Sequence, residues 1–156
     1  MKRFISVSVL LALIAASGTV RAETKEVRAC DFEVKRRCVT GDASVTLVNG
    51  VVTKVEVNAF WCGGRGQPVY SCMLDSTRGE DKDARWSDEG GATVVANTSP
   101  FNPESPDRVK LTVGKHVSID LDEAQSAGRC GAGAELPRAI VIPGQGKTCR
   151  VWLGGQ

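Results

Sequence analysis

Histidine is the commonest general base, and this chain carries one, His116. Ser118 and Asp120 follow at alternate positions, the spacing of neighbours on one face of a single strand. A nucleophilic triad needs its three groups to converge from separate elements. His116 therefore reads as a solvated turn histidine, and no catalytic residue is assigned. Carboxylates fall into two groups: Glu80, Asp81, Asp83, Asp88 and Glu89, then Asp120, Asp122 and Glu123. Two carboxyls about 5–9.5 Å apart can cleave a glycosidic bond, and acid clusters can hold calcium. Asp81-Lys82-Asp83, however, lacks the third ligand and the glycine of a helix-loop-helix calcium site. Arg78, Lys82 and Arg85 are interleaved with the first acid group, so a mutually neutralising, solvated loop is the simpler reading.

The six cysteines, Cys30, Cys38, Cys62, Cys72, Cys130 and Cys149, are an even set with no C-x-x-C spacing. That spacing argues against zinc and against a redox pair. Structural disulfides in an oxidising compartment are expected, with no metal and no cofactor. Short loops close most easily, which favours Cys30–Cys38, Cys62–Cys72 and Cys130–Cys149. Cys62-Gly63-Gly64-Arg65-Gly66 has the glycines of an anion nest but not the lysine and hydroxyl of a phosphate loop. A tight turn is expected there. Asn97-Thr98-Ser99 fits the N-glycosylation pattern. The remaining chemistry is recognition. Trp86, Phe101 and Tyr70 stand in or beside loops, among Arg85, Arg78 and Arg65, and tryptophan, tyrosine and arginine are enriched at binding hot spots. Trp86, Arg85, Arg78 and Phe101 are the candidate binding residues.

The elements that must position these groups are strands. Residues 23–156 contain 17 valines and only 6 leucines, and valine suits a pleated sheet better than a helix. Alternation is clearest from Val51 to Trp61 and precedes it from Ala43 to Leu47. Matching the two apolar faces calls for a three-residue loop, Val48-Asn49-Gly50, with Leu47 opposite Val51. Arg108 to Leu121 reads as a second hairpin around Gly114-Lys115-His116, with Val113 opposite Val117. Shorter strands are expected at 69–74, 92–97, 139–142 and 148–153, and 32–39 is expected to pair at an edge. A short helix is expected at 122–127, ending at Gly128. Two long loops, 75–91 and 97–107, complete the pattern. The expected fold is all-β: a small antiparallel sandwich or partly open barrel of about eight strands, stapled by disulfides.

Residues 1–22 read as a secretory signal. Lys2 and Arg3 precede the apolar run Phe4–Ala16, and Val20-Arg21-Ala22 is a small-x-small exit. Cleavage is expected before Glu23, leaving 23–156 as one domain. The segment carries three of the 20 bases and none of the 18 acids. The remainder is thus close to neutral, too weakly basic to track nucleic acid, and it holds no second apolar run long enough for a membrane span. In size, export signal and disulfide use the chain resembles small periplasmic β-barrel inhibitors of lysozyme. Gln125-Ser126-Ala127-Gly128-Arg129-Cys130 has cysteine where their serine-glycine-alanine-basic-tyrosine loop has tyrosine, so no site is carried over. The expected function is a non-enzymatic binding module, periplasmic or secreted. It would present its loops to a protein or glycan in the envelope or outside the cell, possible forms including an inhibitor of a secreted hydrolase. The alternatives are a small carboxylate-dependent glycan hydrolase and a structural envelope protein without a discrete site.

Overall fold

The computed structural model describes residues 22–62, 70–97, 107–131 and 134–154. They form two antiparallel meanders laid face to face. The first sheet runs β1 (Lys25–Val34), β2 (Val39–Val48), β3 (Val51–Trp61) and β4 (Tyr70–Thr77), in that spatial order. The second contains β5 (Ala84–Glu89), β6 (Ala92–Asn97), β7 (Arg108–Val113), β8 (Val117–Asp120), β9 (Ala139–Ile142) and β10 (Arg150–Trp152), again with sequence neighbours side by side. This is the all-β, disulfide-stapled sandwich that the valine-rich alternation implies, with ten strands rather than about eight. The added strands are β5, inside the charged stretch expected to be a loop, and most of β1, which extends back to Lys25. Residues 32–39 hold the bend of the first hairpin, through a single 3₁₀ turn at Lys35–Arg37. Residues 122–127 form turns, not a helix.

Alternation sends one face of each strand inward. Val45, Leu47, Val55 and Val57 meet Val95, Val109, Leu111, Ile119, Ile140 and Ile142, all essentially inaccessible. Gly41 lies in β2 where a Cβ would run into the Asn58 carbonyl and the Phe32 ring, so the ring can approach the backbone there.

The β2–β3 register departs from the expected one. Val48 pairs directly with Val51, and the turn is the two-residue Asn49-Gly50, both at positive φ (52° and 80°), as a type I′ turn requires. A bulge reconciles the faces. Leu47 pairs with Val52 and Thr46 with Lys54, leaving Thr53 as the extra residue. Beyond it Val45 sits opposite Val55 and Ala43 opposite Val57. On the other side of β3 the Thr53 carbonyl accepts the Arg78 N–H at 2.8 Å, extending the β3–β4 register to the point where the chain leaves the first sheet for the second. The other hairpin has the expected register, with Val113 opposite Val117.

The disulfides join Cys30 to Cys149, Cys38 to Cys62 and Cys72 to Cys130. None of the expected neighbour pairs forms. Cys30 and Cys38 belong to one hairpin but face different partners. Cys30 meets Cys149 where Asp31 donates its N–H to the Lys147 carbonyl (2.7 Å) and accepts from the Cys149 N–H (2.8 Å), a seam between the two sheets. Cys72 meets Cys130 where residues 129–131 cover the β4 edge, through Met73 N–H to Arg129 O and Gly131 N–H to Ser71 O, each 3.0 Å. Covering such an edge removes a template for unwanted pairing. Three disulfides fit an oxidising extracellular or periplasmic compartment. No helix among the described residues is long and apolar enough to cross a membrane.

Candidate functional site

Two of the four candidate binding residues come together, and they bind each other. The 78–83 turn brings Arg78 over the inward side chain of Trp86 on β5, its guanidinium carbon 5.3 Å from the ring centroid. Both terminal nitrogens of Arg78 reach Asp88, at 3.1 and 2.9 Å, and Thr93 donates its hydroxyl to the same carboxylate at 2.7 Å. These hydrogen bonds, Arg78 first, hold Asp88 below the usual carboxylate range. Arg78 Nε and Trp86 Nε1 are buried without a partner. Trp86 packs against the core. The rest of the acidic stretch also folds back on itself, with Asp81 accepting from the Ser76 hydroxyl and the Asp83 N–H. The segment 75–91 is therefore not a long loop but a turn between two strands. Arg85 lies on the opposite face of β5, exposed. Phe101 and Arg65 lie outside the described residues.

His116 is exposed at its hairpin tip, and its Nδ1 accepts the Gly144 N–H at 3.1 Å. The carboxylate of Asp120 accepts the Asp122 N–H instead. No relay from serine through histidine to acid is formed. Asn97 ends β6 with its Oδ1 buried and unpartnered. Among the described residues no three metal-ligating side chains converge.

What the structure gathers instead is the outward face of the six-stranded sheet. A groove of about 370 Å³ is lined by Glu89, Val94, Arg108, Lys110, Asp120, Asp122 and Glu123. Val94, only 8 % exposed, forms its apolar floor. The register puts Lys110 between Val94 and Asp120, and Arg108 beside Ala96, with Arg85 on that residue's other side. Arg85, Arg108 and Lys110 make no ion pair with another described residue, although carboxylates share the groove. The same row continues past Asp120 to Ala139 and then Trp152 on the edge strand β10. Trp152 is 47 % exposed, and the Arg138 N–H binds its carbonyl at 2.8 Å.

The segment between β8 and β9 frames the groove's end. Arg129 and Asp107 form a two-point ion pair (2.6 and 2.8 Å), nearly buried, with the Gln125 N–H on the same carboxylate. Arg108 N–H in turn donates to the Glu123 carbonyl. Sequence reading reached Arg85 and the second acid group but not Arg108, Lys110 or Trp152. Each looked like the ordinary outward residue of an alternating strand. The signal that identifies them is the cross-strand register, which aligns residues far apart in the chain. No family model matches this chain, and neither a curated protein nor a solved structure is significantly similar to it.

Proposed function

We propose that the chain is an exported, non-enzymatic binding module, periplasmic or secreted, that recognises a protein or glycan through the outward face of its six-stranded sheet. The observation that carries this reading is the groove in which Arg108 and Lys110 form no ion pair with a described residue beside Asp120, Asp122 and Glu123. Charged groups left without internal partners on a rigid sheet are free to engage a ligand at small ordering cost. The export signal and the three disulfides support the location. Arg78 and Trp86 support the fold beneath the surface rather than the contact itself, since each already has its partner. Inhibition of a secreted hydrolase is one form the activity takes under this reading.

The test is affinity capture from a cell-envelope extract. Arg108→Ala/Lys110→Ala is expected to lose a partner that the unmodified protein retains. Unchanged capture would retire this surface. The hydrolase alternative predicts shortened products when oligosaccharides are incubated with the protein. Binding without products supports the module.

A further inference from the structure

The groove and the exposed tryptophan share one row of the sheet, and their combined chemistry indicates a ligand class. We infer that the outward face of the six-stranded sheet binds a neutral glycan, laid across the strands from Trp152 toward Lys110. This rests on the reading of that face as the binding surface. The row runs Trp152, Ala139, Asp120, Lys110, Val94, Ser87 in direct cross-strand register. With strands about 4.8 Å apart, Trp152 and Lys110 are separated by about 14 Å, a span for an extended ligand of several rings.

Three observations select the class. First, Trp152 offers a half-open indole beside the small Ala139, on an edge strand whose backbone is held to β9 by the ladder and by the Arg138 N–H. An exposed flat aromatic face suits the C–H surface of a sugar ring, through dispersion and weak C–H contacts. Second, the outward face mixes Arg85, Arg108, Lys110, Arg150 and the Asp122-paired Arg138 with Glu89, Asp120, Asp122 and Glu123. A polyanion would meet repulsion from these carboxylates along with attraction there. Third, an acceptor and a donor stand side by side at the middle of the row. Asp120 only accepts and Lys110 only donates, whereas a hydroxyl does both, so neighbouring sugar hydroxyls can satisfy the two together. An apolar helix finds no stripe on this face, where Val94 is sunk to the floor.

The experiment is NMR titration of the purified protein with cellotetraose, maltotetraose and N-acetylchitotetraose, with a heparin tetrasaccharide as the anionic comparison. At least one neutral tetrasaccharide is expected to shift the Trp152 indole N–H and the amides of residues 108–113 and 117–120. Trp152→Ala is expected to weaken that binding about tenfold, while Trp152→Phe, which keeps a ring face, holds it within about threefold. Asp120→Ala, an exposed change, carries the same expected loss if Trp152→Ala fails to fold. Shifts with the heparin fragment alone, or with none of the four, would overturn the neutral-glycan assignment. If that occurs while Arg108→Ala/Lys110→Ala still loses its envelope partner, the ligand class falls and the surface stands. If capture is also unaffected, both fall.

Discussion

The two sheets use the polar groups of their outward faces differently. On the four-stranded sheet the polar groups answer one another. Asn58 donates to Asp42 at 3.0 Å and Ser44 to Glu56 at 3.0 Å, while the Lys54 ammonium lies 2.8 Å from Glu56 and 3.5 Å from Asp75. On the six-stranded sheet Ser87 donates to Glu89 and Arg138 pairs with Asp122, but Arg85, Arg108 and Lys110 stand beside acids without pairing with a described residue. The four-stranded face also exposes the apolar Val27, Phe60 and Met73, and the six-stranded face exposes Trp152. For the polar groups the difference is which residues the register sets opposite each other, and it leaves those of one face closed on one another and the cations of the other available.

If the faces differ only in how side chains are used, both must depend on the frame that joins the sheets. The largest expected effect is on that frame. Cys30→Ser/Cys149→Ser opens a link spanning 119 positions, shortened by the two disulfides inside it, which the chain-entropy account values at about 4 kcal/mol. A lower denaturation midpoint, with amides of both sheets losing protection together, is the expected readout. Loss confined to one sheet would show that the frame is not shared. Next, Asp107→Ala strands the nearly buried Arg129 charge and is expected to cost about 3 kcal/mol in chemical denaturation. That loss should loosen the 121–138 segment and the groove end it frames, leaving the Lys54–Glu56 face intact. Arg108→Ala/Lys110→Ala should move stability by no more than about 0.5 kcal/mol, even as it abolishes capture. A larger loss would mean that these cations hold the fold and that the contrast between faces is false.

The smallest effect concerns pH. The hydrogen bond from Lys54, followed by that from Ser44, lowers the Glu56 pKa from its ordinary 4.5. A carboxylate with a depressed folded-state pKa contributes stability that is complete above the unfolded value and lost as pH falls through the folded one. The closed face should therefore weaken only below about pH 4.5, and Glu56→Gln should flatten that part of the stability profile. An NMR titration placing Glu56 above 4.5 would contradict the pairing.

Sequence alone reached those features whose cause is local. Alternation from Arg108 to Leu121 gave a hairpin with the right opposing valines, because no extra residue interrupts it. The first hairpin misled because face matching admits two solutions. A longer loop and a short turn with a bulge both bring the valines inward, and Thr53 is not marked as a bulge by its type. The charged stretch 75–91 hid a strand because β5 lies at the sheet edge and buries only part of Trp86, so its alternation is faint. The helix expected at 122–127 gave way because the local pattern competes there with Asp107 and Arg129, which draw the backbone of Gln125 into their ion pair. Arg78 was legible as a functional candidate by residue type, whereas its engagement with Asp88 depends on two segments meeting. The groove residues are the extreme case, for they become neighbours only through pairings among strands.

The Cys30–Cys149 seam also bears on the order of events as the chain folds. Its two segments are 119 positions apart, and contacts of such separation form late, after the intervening strands have paired. Oxidation that runs ahead of folding favours cysteines close in sequence, Cys30 with Cys38 and Cys62 with Cys72, because their loops close at lower entropic cost. The native set is then reached by thiol–disulfide exchange. On that route a catalyst of thiol–disulfide exchange would speed formation of the native set, and the gain would come from undoing the two short-range pairs.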